Sequence, residues 1–388
     1  MTTVKMVKLG TLIKPAKLQK CGNDDYPVLS MTMHNGLVFQ SDKFKKSVAS
    51  QDKSTYKVVH RNQLVIGFPI DEGVLATQRI TDVGIVSPAY GIWDVDQTKI
   101  IPEFLEYALR CNRAIDYYKA KLRGSTARRR SLPTPTLLEL DVPLPDIEQQ
   151  RLALTTIHHA KNALDSRQAQ LTKLDELVKA RFVEMFGDPV TNPFNWPTVE
   201  LGQRCEIITG NTPSRAEPEN YGTFIEWIKS DNINTPSTFL TPAQEYLSEV
   251  GFQKCRFVES GSLLMTCIAG SLNCIGNVAV TNRRVAFNQQ INAITPTCDN
   301  VLYLYWLMIL SKPAIHKTIN MALKGILSKS QLSSIKFPFP SIECQNQFAA
   351  FVAEVDKSKL FAGSAVAHKP FDIEFFSKST VQRPIKEV

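Results

Sequence analysis

No two of the eight cysteines, Cys21, Cys111, Cys205, Cys255, Cys267, Cys274, Cys298 and Cys344, stand in a CxxC pair. That spacing indicates neither a zinc ribbon nor a redox dithiol, and it suits reduced thiols in a cytoplasmic protein. Residues 1–10 show no apolar signal core, and the longest strongly apolar run, Val301 to Leu310, is far too short to span a bilayer. No Walker sequence and no GxGxxG fingerprint occur, so neither an ATPase nor a dinucleotide or methyl-donor fold is supported.

Other catalytic signatures are equally scarce. Asn192-Pro193-Phe194 lacks the second proline of the amino-methyltransferase tetrapeptide. His158-His159 has no cysteine or carboxylate at metal-ligand spacing, and no acidic cluster followed by lysine suggests a nuclease. The expectation is a chain with no catalytic residue, no metal and no cofactor.

What is present is a repeat. Leu140-Asp-Val-Pro-Leu-Pro-Asp-Ile-Glu-Gln-Gln150 is echoed by Ile335-Lys-Phe-Pro-Phe-Pro-Ser-Ile-Glu-Cys-Gln345 at an offset of 195 residues (338 less 143). Leu132 and Leu327, and Leu137 and Leu332, keep that register. Val7-Lys8-Leu9-Gly10 is echoed by Val199-Glu200-Leu201-Gly202 at an offset of 192 (201 less 9). A period near half the chain means two copies of a whole domain, and two copies suit a bipartite target.

The 388 residues are 43% hydrophobic and 21% charged, enough for two or three cored domains. A formal charge of +8 is compatible with nucleic acid without requiring it. In the first half, Val58–Val59, Gln63–Phe68, Gly84–Val86 and Tyr90–Val95 read as strands, and Pro102 to Lys121 as a helix. In the second, Leu263–Cys267, Gly276–Val280 and Ile291–Ile294 read as strands. Val301 to Met321 reads as a helix kinked or broken at Pro313. Each half is a mixed α/β globule of about 140 residues.

Between them, residues 147–186 contain neither Pro nor Gly. Ile157, Leu164, Leu171, Val178 and Met185 recur every seven residues, which predicts a long helix with a coiled-coil-like seam, about 60 Å at 1.5 Å per residue. Asp146 is placed to cap it, and Gly187 with Pro189 to end it. The seam needs a partner, and Ile342 to Leu360 in the second repeat offers one.

These features together resemble the specificity subunit of type I restriction–modification systems. The matching stretches are Pro143-Leu144-Pro145-x-Ile147-x-x-Gln150, the helix running to Arg181-Phe-Val-Glu-Met-Phe-Gly-Asp-Pro189, the opening Trp196-Pro197-x-Val199-x-Leu201-Gly202, then Thr209-Gly-Asn-Thr-Pro-Ser214 and Trp227-Ile-Lys-Ser-Asp-Asn-Ile233. The resemblance implies a fold of two repeated target-recognition globules separated by long antiparallel coiled-coil-like helices. It implies that each globule reads one half of a split double-stranded DNA site. It also implies that the helices dock type I methyltransferase subunits, with the helicase-nuclease restriction subunit joining through the complex. The chain departs from the family after Leu360, where residues 361–388 look unrelated.

On this reading residues 1–146 and 189–341 are the recognition domains, 147–188 the spacer, 342–360 its partner helix and 361–388 a divergent tail. DNA reading needs cations for phosphates and planar polar groups for base edges. The strongest cationic run is Lys119, Lys121, Arg123, Arg128, Arg129 and Arg130, with no acidic residue between Lys119 and Leu138. Its second-half counterpart is Lys324, Gly325, Lys329 and Ser330. Further candidates in the first globule are Lys43, Lys45, Lys46, Arg61 and Arg79. In the second they are Asn211, Ser214, Arg215, Lys229, Asp231, Asn232, Arg283, Arg284, Asn288, Gln289 and Gln290. The candidate docking residues are the seam positions Ile157, Leu164, Leu171, Val178 and Met185. The competing readings are a stand-alone bivalent DNA-binding scaffold without a methyltransferase and an enzyme with an unfamiliar site.

Overall fold

The computed structural model describes residues 4–33, 35–43, 52–122, 132–319 and 325–363. They fall into two compact units, one up to Asp165 and one from Ser166 onward.

The first unit contains β1 (Met6–Lys8), β2 (Ile13–Pro15), β3 (Leu29–Thr32), β4 (Gly36–Phe39), the short α1 (Gln40–Lys43), β5 (Lys57–His60), β6 (Leu64–Ile66), β7 (Leu75–Thr77), β8 (Val83–Val86) and β9 (Gly91–Val95). Then come α2 (Pro102–Arg110), α3 (Asn112–Lys121), α4 (Thr134–Leu138), β10 (Asp141–Pro143) and the start of α5 (Ile147–Phe186). The second unit takes the rest of α5, then β11 (Thr198–Glu200), α6 (Leu201–Arg204), β12 (Cys205–Thr209), β13 (Tyr221–Ile228), β14 (Tyr246–Leu247), α7 (Glu249–Gln253), β15 (Phe257–Val258), β16 (Leu263–Thr266), β17 (Ile268–Ala269), β18 (Val278–Val280), β19 (Val285–Phe287), β20 (Ile291–Pro296), α8 (Val301–Lys317), β21 (Gly325–Ile326), α9 (Lys329–Ser334), β22 (Lys336–Pro338) and α10 (Ile342–Gly363).

The repeat in the sequence is a repeat in topology. The antiparallel sheet β2-β9-β6-β7 has its counterpart in β12-β20-β16-β18, and the ladder β1-β10 has its counterpart in β11-β22. The Leu-Gly echo has a mechanical cause. Leu9 N–H donates to Leu140 O at 2.8 Å, and Leu201 N–H to Ile335 O at 2.9 Å. The glycine that follows lets a short helix approach: a Cβ on Gly10 would lie 3.2 Å from Leu138 Cβ, and one on Gly202 3.0 Å from Ser333 Cβ.

The repeated glutamine is a buried clamp. Gln150 Oε1 accepts from Ile101 N–H at 2.8 Å, while its Nε2 donates to Lys99 O and Pro145 O. Gln345 Oε1 accepts from Asn300 N–H at 2.9 Å, while its Nε2 donates to Pro340 O and Asp299 Oδ1. One carboxamide thus ties the Pro-x-Pro segment to the chain entering α2 or α8. Only a carboxamide has the acceptor and paired donors for that job at one position, and glutamine's reaches one methylene further than asparagine's.

The long helix begins where Asp146 Oδ1 accepts from Gln149 N–H at 2.8 Å and ends where Gly187 turns left-handed at φ 77°. Its seam corrects the docking expectation. Ile157 is buried in the first unit's core with Ala153 and Leu154, and Val178 in the second unit's core with Phe182 and Phe186. Met185 packs on that second core. Leu164, Leu171 and Met185 are half-buried, so much of the seam is consumed within the chain. In the second unit α10 runs antiparallel to α5: Phe348 meets Phe182 and Phe186, Arg181 lies over Phe351, and Lys359 pairs with Asp175 at 2.8 Å. At 22 residues, α10 is about half the length of the 40-residue α5.

Two helix expectations are corrected. Residues 102–121 form two helices, because Cys111 is extended at ψ 160°. The carbonyls freed there are satisfied locally: Cys111 Sγ donates to Ala108 O, and the Tyr118 hydroxyl to Leu109 O at 3.0 Å. Conversely, Val301–Lys317 stays one helix through Pro313. Leu304, Leu307 and Met308 before the proline and Ile315 after it are all buried in one core, which outweighs a penalty of about 3 kcal/mol.

Candidate nucleic-acid interface

Arg123, Arg128, Arg129, Arg130, Lys45, Lys46 and Lys324 lie outside the described residues. Lys43 closes α1, while Lys121 closes α3 and Lys329 opens α9, both exposed. Arg61 is spent locally, on Asp82 Oδ1 at 2.7 Å and Arg79 O at 2.7 Å. Arg79 in turn pairs with Glu103 at 2.6 Å.

In the second unit the polar candidates separate into scaffold and surface. Asn232 is buried; its Oδ1 accepts from Lys229 N–H and its Nδ2 donates to Pro242 O. Arg283 is held by Glu226 and by the carbonyls of Leu240 and Thr241, which raises its pKa and lowers that of Glu226. Asn211 uses both ends of its amide on backbone: Nδ2 donates to Lys254 O, and Oδ1 accepts from Arg256 N–H, both at 2.8 Å. Arg284 pairs with Glu259 at 2.6 Å and lies over Phe257. Ser214 and Asp231 are exposed.

The surface members gather around one corner. Thr209-Gly210-Asn211-Thr212 packs against the turn from Phe287 to Gln290. Gly210 is required there, since a Cβ would sit 2.3 Å from Asn288 O and 2.4 Å from Phe287 O. Thr212 donates its hydroxyl hydrogen to Gln289 Oε1. Trp227 Nε1 donates to Asn211 O, and its ring carries two cations, Arg215 with its guanidinium carbon at 5.3 Å and Lys229 with its ammonium at 5.2 Å. Both cations also pair with Glu245, whose carboxyl is held below the usual range by Lys229 first and Arg215 after it. Arg256 donates to Thr209 O at 2.5 Å. The result is a corner with one exposed carboxamide, Gln289, and three cations on the segments packed around it, two of which share the Glu245 carboxylate.

Thr212 and Arg256 were not among the sequence candidates. The Thr-Gly-Asn-Thr stretch was visible, but its contact with residues 287–290 comes from sheet pairing across 83 residues of chain, as in the Thr209–Asn292 hydrogen bond. The interior thiols are unsuited to nucleophilic work: burial pushes Cys205 and Cys267 each up to about 12. Among the described residues, no group of three or more His, Cys, Asp or Glu could hold a metal ion. No described helix is long and apolar enough to cross a membrane.

Two mixed α/β units that share a long helix, one of them bearing this polar corner, define a class of two-unit α/β chain. Residues 193–362 match the type I restriction modification DNA specificity domain. The chain is 29% identical over 187 residues to the type I restriction enzyme HindI specificity subunit of Haemophilus influenzae, covering 46% of this chain and 39% of that protein. It is 28% identical over 177 residues to the type I restriction enzyme MjaIX specificity subunit of Methanocaldococcus jannaschii, covering 42% and 38%. The match therefore spans about two fifths of the length of these curated relatives. Among solved structures, a chain from a study of complex assembly and conformational transition of the type I R-M system aligns with a TM-score of 0.55 at 16% identity, covering 94% of this chain and 92% of that one. A type I restriction-modification S subunit from M. genitalium aligns at 0.54 and 13% identity, covering 95% and 93%. These likenesses establish the fold. In sequence the chain is similar, over part of its length, to type I specificity subunits.

Proposed function

We propose that this chain is the DNA sequence-recognition subunit of a type I restriction–modification complex. The observation that carries the reading is the match of residues 193–362 to the type I DNA specificity domain. The first unit repeats the same frame, which supports assigning it the same task on a second half-site. Residues 1–146 and 189–341 are then the two recognition domains, and the helices of 147–188 and 342–360 set the spacing between half-sites. The exposed positions of α5, among them Leu177 and Val183 at 48% and 44% accessibility, are the surface offered to methyltransferase subunits. The restriction subunit joins through the assembled complex. The chain itself performs no chemistry in this scheme: its recognition surfaces bind DNA while the partner transfers the methyl group, in the cytoplasm.

Methylation-site mapping with the methyltransferase supplied tests the proposal. The full chain should direct methylation to one split sequence. Deleting the heptad 165–171 shortens α5 by about 10 Å, so the unspecified gap should shrink by about three base pairs at about 3.4 Å each, with both half-sites unchanged. Methylation without a consensus, or an unchanged gap in an active deletion variant, overturns it.

A further inference from the structure

The geometry points to Gln289 as the base-reading side chain of the second unit, its carboxamide making a bidentate contact with a purine of that half-site, adenine by preference. This rests on the DNA-recognition reading and goes one residue deeper.

The turn 288–290 carries the chain from β19, in the sheet β14-β13-β19-β15, to β20, in the sheet β12-β20-β16-β18. Its backbone is fixed on every side. Asn288 N–H donates to Ile228 O, and Ile291 N–H to Asn288 O; Gln290 O accepts from both Cys267 and Ile268 N–H; Asn211 N–H donates to Phe287 O. The flanking side chains are fixed as well, since Asn288 Oδ1 accepts from Gln290 N–H and its Nδ2 donates to Gln290 Oε1. Gln289 alone in this turn is exposed. A rigid turn presenting one amide is preorganised, so little conformational entropy is lost when that amide meets its partner.

The amide's remaining hydrogen-bonding capacity specifies the partner. Thr212 occupies one lone pair of Oε1, leaving one acceptor site and two N–H donors. That set matches adenine, whose N6–H donates and whose N7 accepts in the major groove. Arg256, which donates to Thr209 O, and Lys229, which follows the Ile228 whose carbonyl accepts from Asn288 N–H, belong to the segments packed on this turn and supply cations for phosphates near the read base. Asn211 and Asn232, also of the right residue type, have their amides committed to backbone.

The test is selection of binding sites from a randomised duplex library by the purified full chain, alone and with type I methyltransferase subunits, for wild type, Gln289→Ala and Thr212→Val. The wild-type consensus should lose its preference at one adenine in Gln289→Ala, by about 5- to 150-fold, while the other positions of both half-sites persist. Thr212→Val should blunt the same position partially. A 7-deazaadenine placed there should weaken wild-type binding and have no further effect on Gln289→Ala. Thermal melting of each variant verifies folding, which an exposed side chain should leave intact. A wild-type consensus left whole by Gln289→Ala, or weakened evenly at all positions, overturns this inference alone. A wild-type chain that selects no sequence overturns the recognition reading and this inference with it.

Discussion

In the first unit, β3-β4 and β5-β8 form two separate two-stranded ladders. In the second, the strands beyond the shared frame form a four-stranded sheet, β14-β13-β19-β15, and one two-stranded ladder, β17-β21. Beneath these unlike regions lies the same frame, with its leucine–carbonyl bond, its close-approach glycine and its glutamine clamp. The means of stabilisation diverge too. The first unit's outer ladders rest on small apolar clusters such as Cys21, Val58 and Ile85. The second unit's outer sheet has apolar clusters too, around Ile228, Val285 and Phe287 and around Ile225, Trp227 and Leu247, and adds the ion pairs Glu226–Arg283, Glu245–Lys229, Glu245–Arg215 and Glu259–Arg284, where the first unit's outer ladders carry Arg61–Asp82. The contrast teaches that a repeated scaffold holds position while the outer region is free to change its chemistry.

The largest expected effect tests whether the two units draw on α5 independently. Phe182 is fully buried and its ring meets Phe186, Tyr303 and Phe348. Phe182→Ala should cost about 3–5 kcal/mol. Hydrogen exchange should show the loss in α8 and α10 and leave the amides of β6 and β9 protected. Ile157→Ala should show the reverse pattern, at about 2–5 kcal/mol. Equal loss of protection in both units from either variant would mean that they unfold as one.

Next comes the clamp. Gln150→Leu leaves Ile101 N–H and two carbonyls without their side-chain partner; Gln345→Leu leaves Asn300 N–H, Pro340 O and an oxygen of Asp299. Each buried orphan costs about 1–3 kcal/mol, so each variant should lose about 3 kcal/mol in urea unfolding. Gln345→Leu should lose more, because Asp299 is a carboxylate shared with Arg204 at 2.6 Å. Equal and negligible losses would show that water replaces the clamp and that the shared frame lies elsewhere.

The frame was legible in sequence because its parts are single residues with no substitute at fixed spacing: Leu-Gly, Pro-x-Pro and the glutamine. The long helix was legible from 40 residues without Pro or Gly. The outer sheets were far less so. β14, β15, β17 and β21 are two residues each, too short for any period to register. The break at Cys111 carries no Pro or Gly to announce it, and the continuity through Pro313 is decided by burial that only the tertiary fold supplies. The candidate site was half legible: residue type nominated Asn211, Asn232, Arg283 and Gln289 alike. What separates them is whether the side chain's hydrogen bonds are consumed by backbone, and that depends on partners as distant as Lys254 and Glu226.

Acid should expose the difference in stabilisation. The hydrogen bonds from Arg283 hold Glu226 below the ordinary glutamate value of 4.5. A depressed folded-state pKa means that the pair's contribution is complete above that value and is lost as pH falls through the folded pKa. Amides of β13 and β19 should therefore lose protection as the pH falls below 4.5, beyond the intrinsic effect of pH. Glu226→Gln should be less protected at pH 6 and show no such further loss. If wild type and variant lose protection in parallel, the outer sheet does not depend on this pair and the contrast with the first unit narrows.

The smallest effect separates reading from holding. Lys121 and Lys329 are exposed, and neither has an ion-pair partner among the described residues. If each neutralises one phosphate, Lys121→Ala and Lys329→Ala should each lower the slope of log affinity against log salt by about 0.9. Each should weaken all sequences alike and leave the selected consensus untouched. That behaviour is the opposite of the change expected of Gln289→Ala, which should alter one position and leave the salt slope alone. Because the two lysines sit in different units, their double variant should lower the slope by about 1.8, the sum of two independent phosphate contacts. A double variant no different from either single one would place only one unit on the DNA at a time, and the bipartite reading would have to give way to two alternative binding modes. Titrations of fluorescent duplex carrying the full split site, at four salt concentrations, are sufficient to distinguish these slopes.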